Sequence, residues 1–331
     1  MAFGTWVRRA LAMMAGGAVA GWASMALAGS GALGPFGPES PRMREQLWMV
    51  PGGDPEHDLR ATVFRPDDVA GARTPLRPLV VINHGTSSAT RLSVAMPVYF
   101  WLSKWFVDRG YVVVLPQRRG HGATGGELEE SVGTCAAPDH VRSGEIAADD
   151  IAAVVDFMTR QPGIASDGAV VVGISTGGWA SLALAARNPS QVRAVINIAG
   201  GRGGHAGGQS NAICGEQRLV EAAAEFGRTA RVPTLWLYSE NDSYFGPRLA
   251  AHMANAWSEG GGDAELAMLP PYGADGHDIA NDRAGWDLWG ARADRFLGRA
   301  SPAQVAATAE RADTAQAEMS AAAVLPAGDG R

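Results

Sequence analysis

Cysteine is scarce in this sequence: its 331 residues contain two, Cys135 and Cys214. Neither has a second cysteine or a histidine at ligand spacing, which argues against a cysteine-based zinc site, and no other feature calls for a cofactor. Charge is thin as well. Charged residues make up 19% of the chain, the net charge is -6, and no basic stripe interleaved with aromatics exists, so nucleic acid is not an expected partner. The phosphate-cradling pattern G-x-x-x-x-G-K-[ST] and the zinc-protease pattern H-E-x-x-H are both missing. Two glycine-rich matches to dinucleotide fingerprints occur, Gly120 to Gly125 and Gly201 to Ala206, but neither is set up to open directly into a helix. The second lies in Gly200 to Gly208, which reads as a mobile loop. No repeat or internal linker divides the chain.

What is present begins with a polarised N-terminus. Arg8 and Arg9 precede a Gly- and Ala-rich apolar run from Ala10 to Ala28 that ends in Ala26-Leu27-Ala28. That is the tripartite pattern of a signal peptide, with cleavage expected after Ala28. The expectation is therefore an exported protein, periplasmic or secreted, with no stable membrane span once residues 1–28 are removed. In that setting Cys135 and Cys214 are candidates for a disulfide, with two separate buried thiols as the alternative. Residues 29–42 are rich in Gly and Pro and read as a flexible leader. Residues 300–331 are Ala-rich with few large apolar groups and read as a disordered tail.

Between these ends, residues 43–299 read as one domain, and 46% hydrophobic composition is ample for a core. Short apolar runs at Leu79 to Asn83, Tyr111 to Leu115, Ala169 to Gly173, Ala194 to Ile198 and Thr234 to Tyr238 lack polar alternation. Such runs are strands covered on both faces, the mark of a mainly parallel sheet. Helical stretches fall between them, at Pro97 to Arg109, Gly144 to Arg160, Gly177 to Asn188 and Pro247 to Glu259. In the second of these, Ile151, Val154, Val155 and Met158 share one helix face. Alternating strand and helix predicts an α/β doubly wound sheet with helices on both faces, whose chemistry lies in the loops after the strands.

One such loop is Gly173-Ile174-Ser175-Thr176-Gly177, between a buried strand and a helix. In that context the pentapeptide is a nucleophile elbow, with Ser175 presented on a sharp turn. A serine hydroxyl needs a base and an orienting acid, and both follow in order: Asp242 beyond the strand ending at Tyr238, then His277 in a Gly-rich loop. Glu240 competes for the acid, and His252 or His205 for the base. The developing oxyanion needs two backbone donors. Thr176, next after the serine, is expected to supply one and the loop after Asn83 the other; there His84-Gly85 resembles the H-G element of hydrolases and lipases, which points to the N–H of Thr86, with His84 itself as loop scaffolding.

His84-Gly85, Arg119-Gly120-His121-Gly122, Gly173-x-Ser175-x-Gly177-Gly178, Asp242 and Gly276-His277 stand in the order found in the α/β-hydrolase superfamily. The chain resembles its dienelactone-hydrolase-like and prolyl-oligopeptidase-like branches over Leu79 to Leu297. It differs from dienelactone hydrolase in having serine where that enzyme has cysteine, and it has no room for the β-propeller of prolyl oligopeptidases. The resemblance implies the α/β-hydrolase fold and a serine hydrolase. The substrate expected is a small ester-like molecule, and the reaction carboxylic ester hydrolysis. The alternatives are acyl transfer by the same triad and a non-catalytic binding protein. Segments Ser87 to Tyr99, Glu127 to His140 and Gly200 to Glu216 are expected to shape the pocket.

Overall fold

The computed structural model describes residues 32–68, 75–87, 91–93, 96–97 and 99–300. The signal-peptide reading of residues 1–28 and all of the tail reading beyond residue 300 lie outside them. The described residues form a nine-stranded sheet: β1 (Gly34–Phe36), β2 (Gln46–Pro51), β3 (Asp58–Phe64), β4 (Leu79–Asn83), β5 (Val112–Gln117), β6 (Ala169–Ile174), β7 (Val192–Ile198), β8 (Thr234–Ser239) and β9 (Ala264–Leu269). In space the order is β1-β2-β3-β5-β4-β6-β7-β8-β9. The first three strands and the β3–β5 junction are antiparallel. From β5 through β9 every pairing is parallel.

The five strands expected from apolar runs are all present, because parallel strands buried on both faces show that signature. Their side chains divide by alternation. Leu79, Val81, Val171, Trp236 and Tyr238 face one core, while Val80, Ile82, Val172, Leu235 and Leu237 face the other. The first core is covered by α2 (His140–Thr159), α3 (Thr176–Ala185), α4 (Glu216–Thr229) and α5 (Pro247–Glu259). The second is covered by α1 (Phe100–Val107) and α6 (Trp286–Arg299). Helices thus lie on both faces of a mainly parallel sheet.

The leader reading fails from Gly34 onward. Gly34 to Phe36 pair with Leu47 to Met49 as an edge strand, which its Gly-Pro composition hid. The loop at Gly200 to Gly208 is also ordered: Gly201 N–H donates to Ser175 O at 3.1 Å, and Arg202 is buried.

The two cysteines are joined in a disulfide across 79 positions of sequence. It ties the loop between β5 and α2 to the loop between β7 and α4, two of the segments expected to shape the pocket. Among the described residues no helix is long and apolar enough to cross a membrane.

Candidate functional site

Ser175 sits between β6 and α3 with φ 55° and ψ -122°. A non-glycine residue in that region carries roughly 1–3 kcal/mol of strain, which persists only where surrounding bonds fix it. Here Ser175 N–H donates to Ile198 O, and Ser175 O accepts from Trp179 and Gly201 N–H, each at 3.1 Å. The flanking glycines are steric requirements. A Cβ at Gly173 would lie 2.1 Å from Gly177 O, and one at Gly177 would lie 2.2 Å from Asn83 O. The turn therefore lifts the serine over the carboxyl ends of β6 and β4, partly exposed, at the start of a helix whose first N–H groups point back toward it.

Asp242 follows β8 and is buried, with a fully enclosed side chain. Its Oδ1 accepts the backbone N–H groups of Tyr244 and Phe245 at 2.8 and 2.9 Å. His277, in a 3-10 turn after β9, places Nδ1 at 3.2 and 3.3 Å from the two Asp242 oxygens. With Nδ1–H directed at the carboxylate, Nε2 of the neutral ring is left as the acceptor. The ring stacks on Tyr244, centroids 4.2 Å apart, and Phe245 lies 5.8 Å away. Phe245 in turn fills the space beside Gly201, where a Cβ would come within 2.6 Å of its ring. Since Gly201 is bonded to Ser175, one packed chain connects serine and histidine loops. Among the described residues no hydrogen bond joins Ser175 Oγ to His277, a contact that hydrolases without substrate often leave long.

The rival residues stand elsewhere. Glu240 and His252 are exposed, the first at the end of β8 and the second on α5. His205 stacks on the far face of the site's Tyr244 at 3.6 Å and contacts Ser243 Oγ at 2.8 Å.

The loop after β4 lies against the serine: a Cβ on Gly85 would be 3.0 Å from Ser175 Cβ. Thr86 and Thr176 meet there, Thr176 Oγ1 donating to Thr86 Oγ1 at 2.9 Å. Neither backbone N–H has a partner among the described residues. His84 is buried scaffolding, its Nδ1 2.7 Å from Gly85 O and its Nε2 accepting Arg118 N–H at 3.1 Å. Burial, with Arg118 and His121 close by, pushes its pKa well below the ordinary histidine range, so it stays neutral.

Beneath this loop is a buried ionic group that the sequence did not suggest. Arg118 and Glu130 form a two-bonded fork at 2.8 and 3.1 Å, and Arg202 reaches in from the loop after β7. Asp275 was likewise not singled out. Its Oδ1 accepts the N–H of both Ser243 and His277 at 3.0 Å. Arg202 and Glu130 meet partners distant in sequence, and Asp275 caps its own turn at His277 while reaching Ser243, 32 positions away. Among the described residues no group of three or more His, Cys, Asp or Glu side chains is placed to hold a metal ion.

Comparison with known proteins follows the same outline. The family model for X-Pro dipeptidyl-peptidase (S15 family) matches residues 55–257, more than half of the chain. None of the curated proteins compared by sequence matches. Among solved structures, a Porphyromonas gingivalis dipeptidyl peptidase 4 aligns with TM-score 0.56 at 15% identity over 78% of this chain and 36% of its own. A Pyrococcus furiosus esterase aligns with TM-score 0.54 at 13% identity, over 81% of this chain and 97% of its own. A Pyrococcus horikoshii acylaminoacyl peptidase gives TM-score 0.50 at 16% identity, covering 72% of this chain and 38% of its own. The chain thus spans well under half the length of the two peptidases. At such identities these likenesses speak to the fold, while the family match speaks to descent. The chain belongs to the X-Pro dipeptidyl-peptidase (S15) family and has the α/β-hydrolase fold.

Proposed function

We propose that the chain hydrolyses a small carboxylic ester through Ser175, Asp242 and His277. The observation that carries this is the strained Ser175 turn after β6 together with a buried Asp242, after β8, that holds His277, after β9, by Nδ1. His277 Nε2 takes the Ser175 proton as Oγ attacks the carbonyl, and the imidazolium formed is stabilised by Asp242. The N–H groups of Thr176 and Thr86 receive the oxyanion. His277 then protonates the departing alcohol, and water repeats the sequence to release the acid. Ester hydrolysis is favoured because it needs no binding element beyond these groups. The peptidase name of the family supports a second reading, cleavage of an X-Pro dipeptide from a peptide N-terminus. Export is supported by the N-terminal pattern Arg8 to Ala28 and by the Cys135–Cys214 disulfide.

A fluorophosphonate probe should label the wild type at Ser175 and leave Ser175→Ala unlabelled. Equal labelling of the two would remove Ser175 from the mechanism. Aryl acetates and butyrates, run beside an X-Pro p-nitroanilide, separate the two substrate readings. Faster turnover of the anilide would overturn the ester assignment while leaving the serine in place.

A further inference from the structure

We infer that Glu130 and the Thr86 hydroxyl form a positioning device that fixes the spacing of the two backbone donors assigned to the oxyanion. This rests on the assignment of Thr86 and Thr176 N–H to that role.

The proton inventory defines the device. Thr176 Oγ1 donates to Thr86 Oγ1 at 2.9 Å, and Thr86 Oγ1 donates to Glu130 Oε1, also at 2.9 Å. The two hydroxyls and the carboxylate therefore form a one-directional chain ending on a charge. His121 Nε2 also lies 2.9 Å from Thr86 Oγ1, while its Nδ1 faces the carbonyl oxygens of Arg119 and Arg118. Carbonyls only accept, so the neutral ring carries its proton on Nδ1, and Thr86 has one proton for two acceptors. The ionised carboxylate is the stronger of them.

Glu130 is built to stay ionised. Burial alone would raise its pKa, but Arg118, bonded to both carboxylate oxygens, and Arg202 hold it far below the carboxylate range. The Glu130 side chain itself is 3% exposed and Arg118 fully buried, so the fork is rigid and shielded from solvent. Each end of the device is also pinned. Arg118 donates to His84 O at 2.7 Å, at the start of the donor loop. Arg202 donates to the Glu130 carbonyl, and it follows β7 in the loop bonded to Ser175 through Gly201. The disulfide at Cys135 fastens the Glu130 loop to that same segment.

A role of this kind differs from general packing. A carboxylate that only filled space would not need the hydroxyl of Thr86, and a hydroxyl that only packed would be replaced by a methyl without cost to turnover. Thr86→Val makes that exchange while leaving the backbone N–H and the Arg118–Glu130 fork intact. Glu130→Gln leaves two buried guanidinium groups without a counter-charge and risks misfolding, so Thr86→Val is the primary test.

The assay is steady-state hydrolysis of an aryl acetate by the full chain, with thermal unfolding measured in parallel. Thr86→Val should lower kcat on the order of tenfold with KM within about twofold, since a displaced oxyanion donor acts in the transition state. Thr86→Ser, which restores the hydroxyl, should recover most of that loss. Where Glu130→Gln folds, its combination with Thr86→Val should be no slower than the slower single variant, because both break one chain. Thr86→Val turning over within twofold of an active wild type would overturn the device and leave the triad untouched, as would fully additive losses. A wild type that neither hydrolyses the ester nor takes the fluorophosphonate would instead bring down the underlying assignment.

Discussion

Asp275 joins the two loops that carry Asp242 and His277. Its Oδ1 holds the N–H of Ser243, one residue past the acid, and the N–H of His277, while Oδ2 accepts the Ser243 hydroxyl. Asp242 and His277 come from different strand ends, so this bridge sets their 3.2 Å separation more directly than either strand does. Asp275→Ala should lower kcat by about 10-fold to 100-fold, the scale at which a misplaced catalytic group loses rate. Asp275→Asn keeps the Oδ1 acceptor and can donate to Ser243 Oγ, so its loss should be the smaller of the two. Equal kcat for wild type and Asp275→Ala on an aryl acetate would contradict the bridging role. Asp242→Asn, by contrast, disturbs the ring's proton itself and should cost roughly 10⁴ in kcat. The residues proposed as a triad, Ser175, Asp242 and His277, could be picked out of the sequence because each sits in a short motif after a strand, in the chain order such a triad takes. Asp275, Glu130 and Arg202 could not. A carboxylate's role depends on which amide or guanidinium folds against it, and no spacing rule connects Glu130 to Thr86 or to Arg202.

At the level of elements, what was legible follows burial. Strands β4 to β8 are apolar on both sides and were read from the sequence nearly to their bounds. Strand β3 carries Asp58, Arg60 and Thr62 on one side, and with β2 it is the antiparallel flank where the apolar run breaks up. Helix α4 hides its buried stripe behind alanine: Leu219, Ala222, Ala223 and Phe226 have the right spacing but only two large side chains. The loops after β5 and β7 have still less pattern, and their order comes from long-range links, the disulfide first. Closing a loop of 79 positions restrains the unfolded chain by roughly 4 kcal/mol in the chain-entropy picture. The double variant Cys135→Ser/Cys214→Ser should therefore unfold some 5–15 °C lower by calorimetry. Mass spectrometry of the protein purified from its native compartment should show no alkylatable thiol before reduction. An unchanged unfolding temperature, or two free thiols, would count against a structural disulfide.

For the molecule as a whole, the sheet gathers the site by placing the loops after β4, β6, β8 and β9 along one edge, and the groups buried behind that edge decide how it responds to acid. His84, His121 and His140 are each pushed below the ordinary histidine pKa, chiefly by burial and further by Arg118 at the first two. In the unfolded chain they titrate near 6.5. Below that pH the unfolded state binds protons that the folded state refuses, so stability falls as pH falls. The carboxylates act in the same direction at lower pH. Glu130 and Asp275 are depressed in the folded protein despite burial, by Arg118 for the first and by the Ser243 and His277 bonds for the second. Their contribution is complete above an unfolded pKa of about 4 and is lost as they are forced to protonate. The unfolding temperature should accordingly hold between about pH 7 and 8, decline from about pH 6.5, and steepen below about pH 4.5. His140, whose Nε2 lies 3.0 Å from Cys214 O, isolates the first stage. His140→Gln keeps a donor there without the titration, and its decline between about pH 6.5 and 5 should be shallower than the wild type's. A wild-type unfolding temperature that is flat or rising from pH 7 to 5 would show that these histidines do not stay neutral in the folded interior.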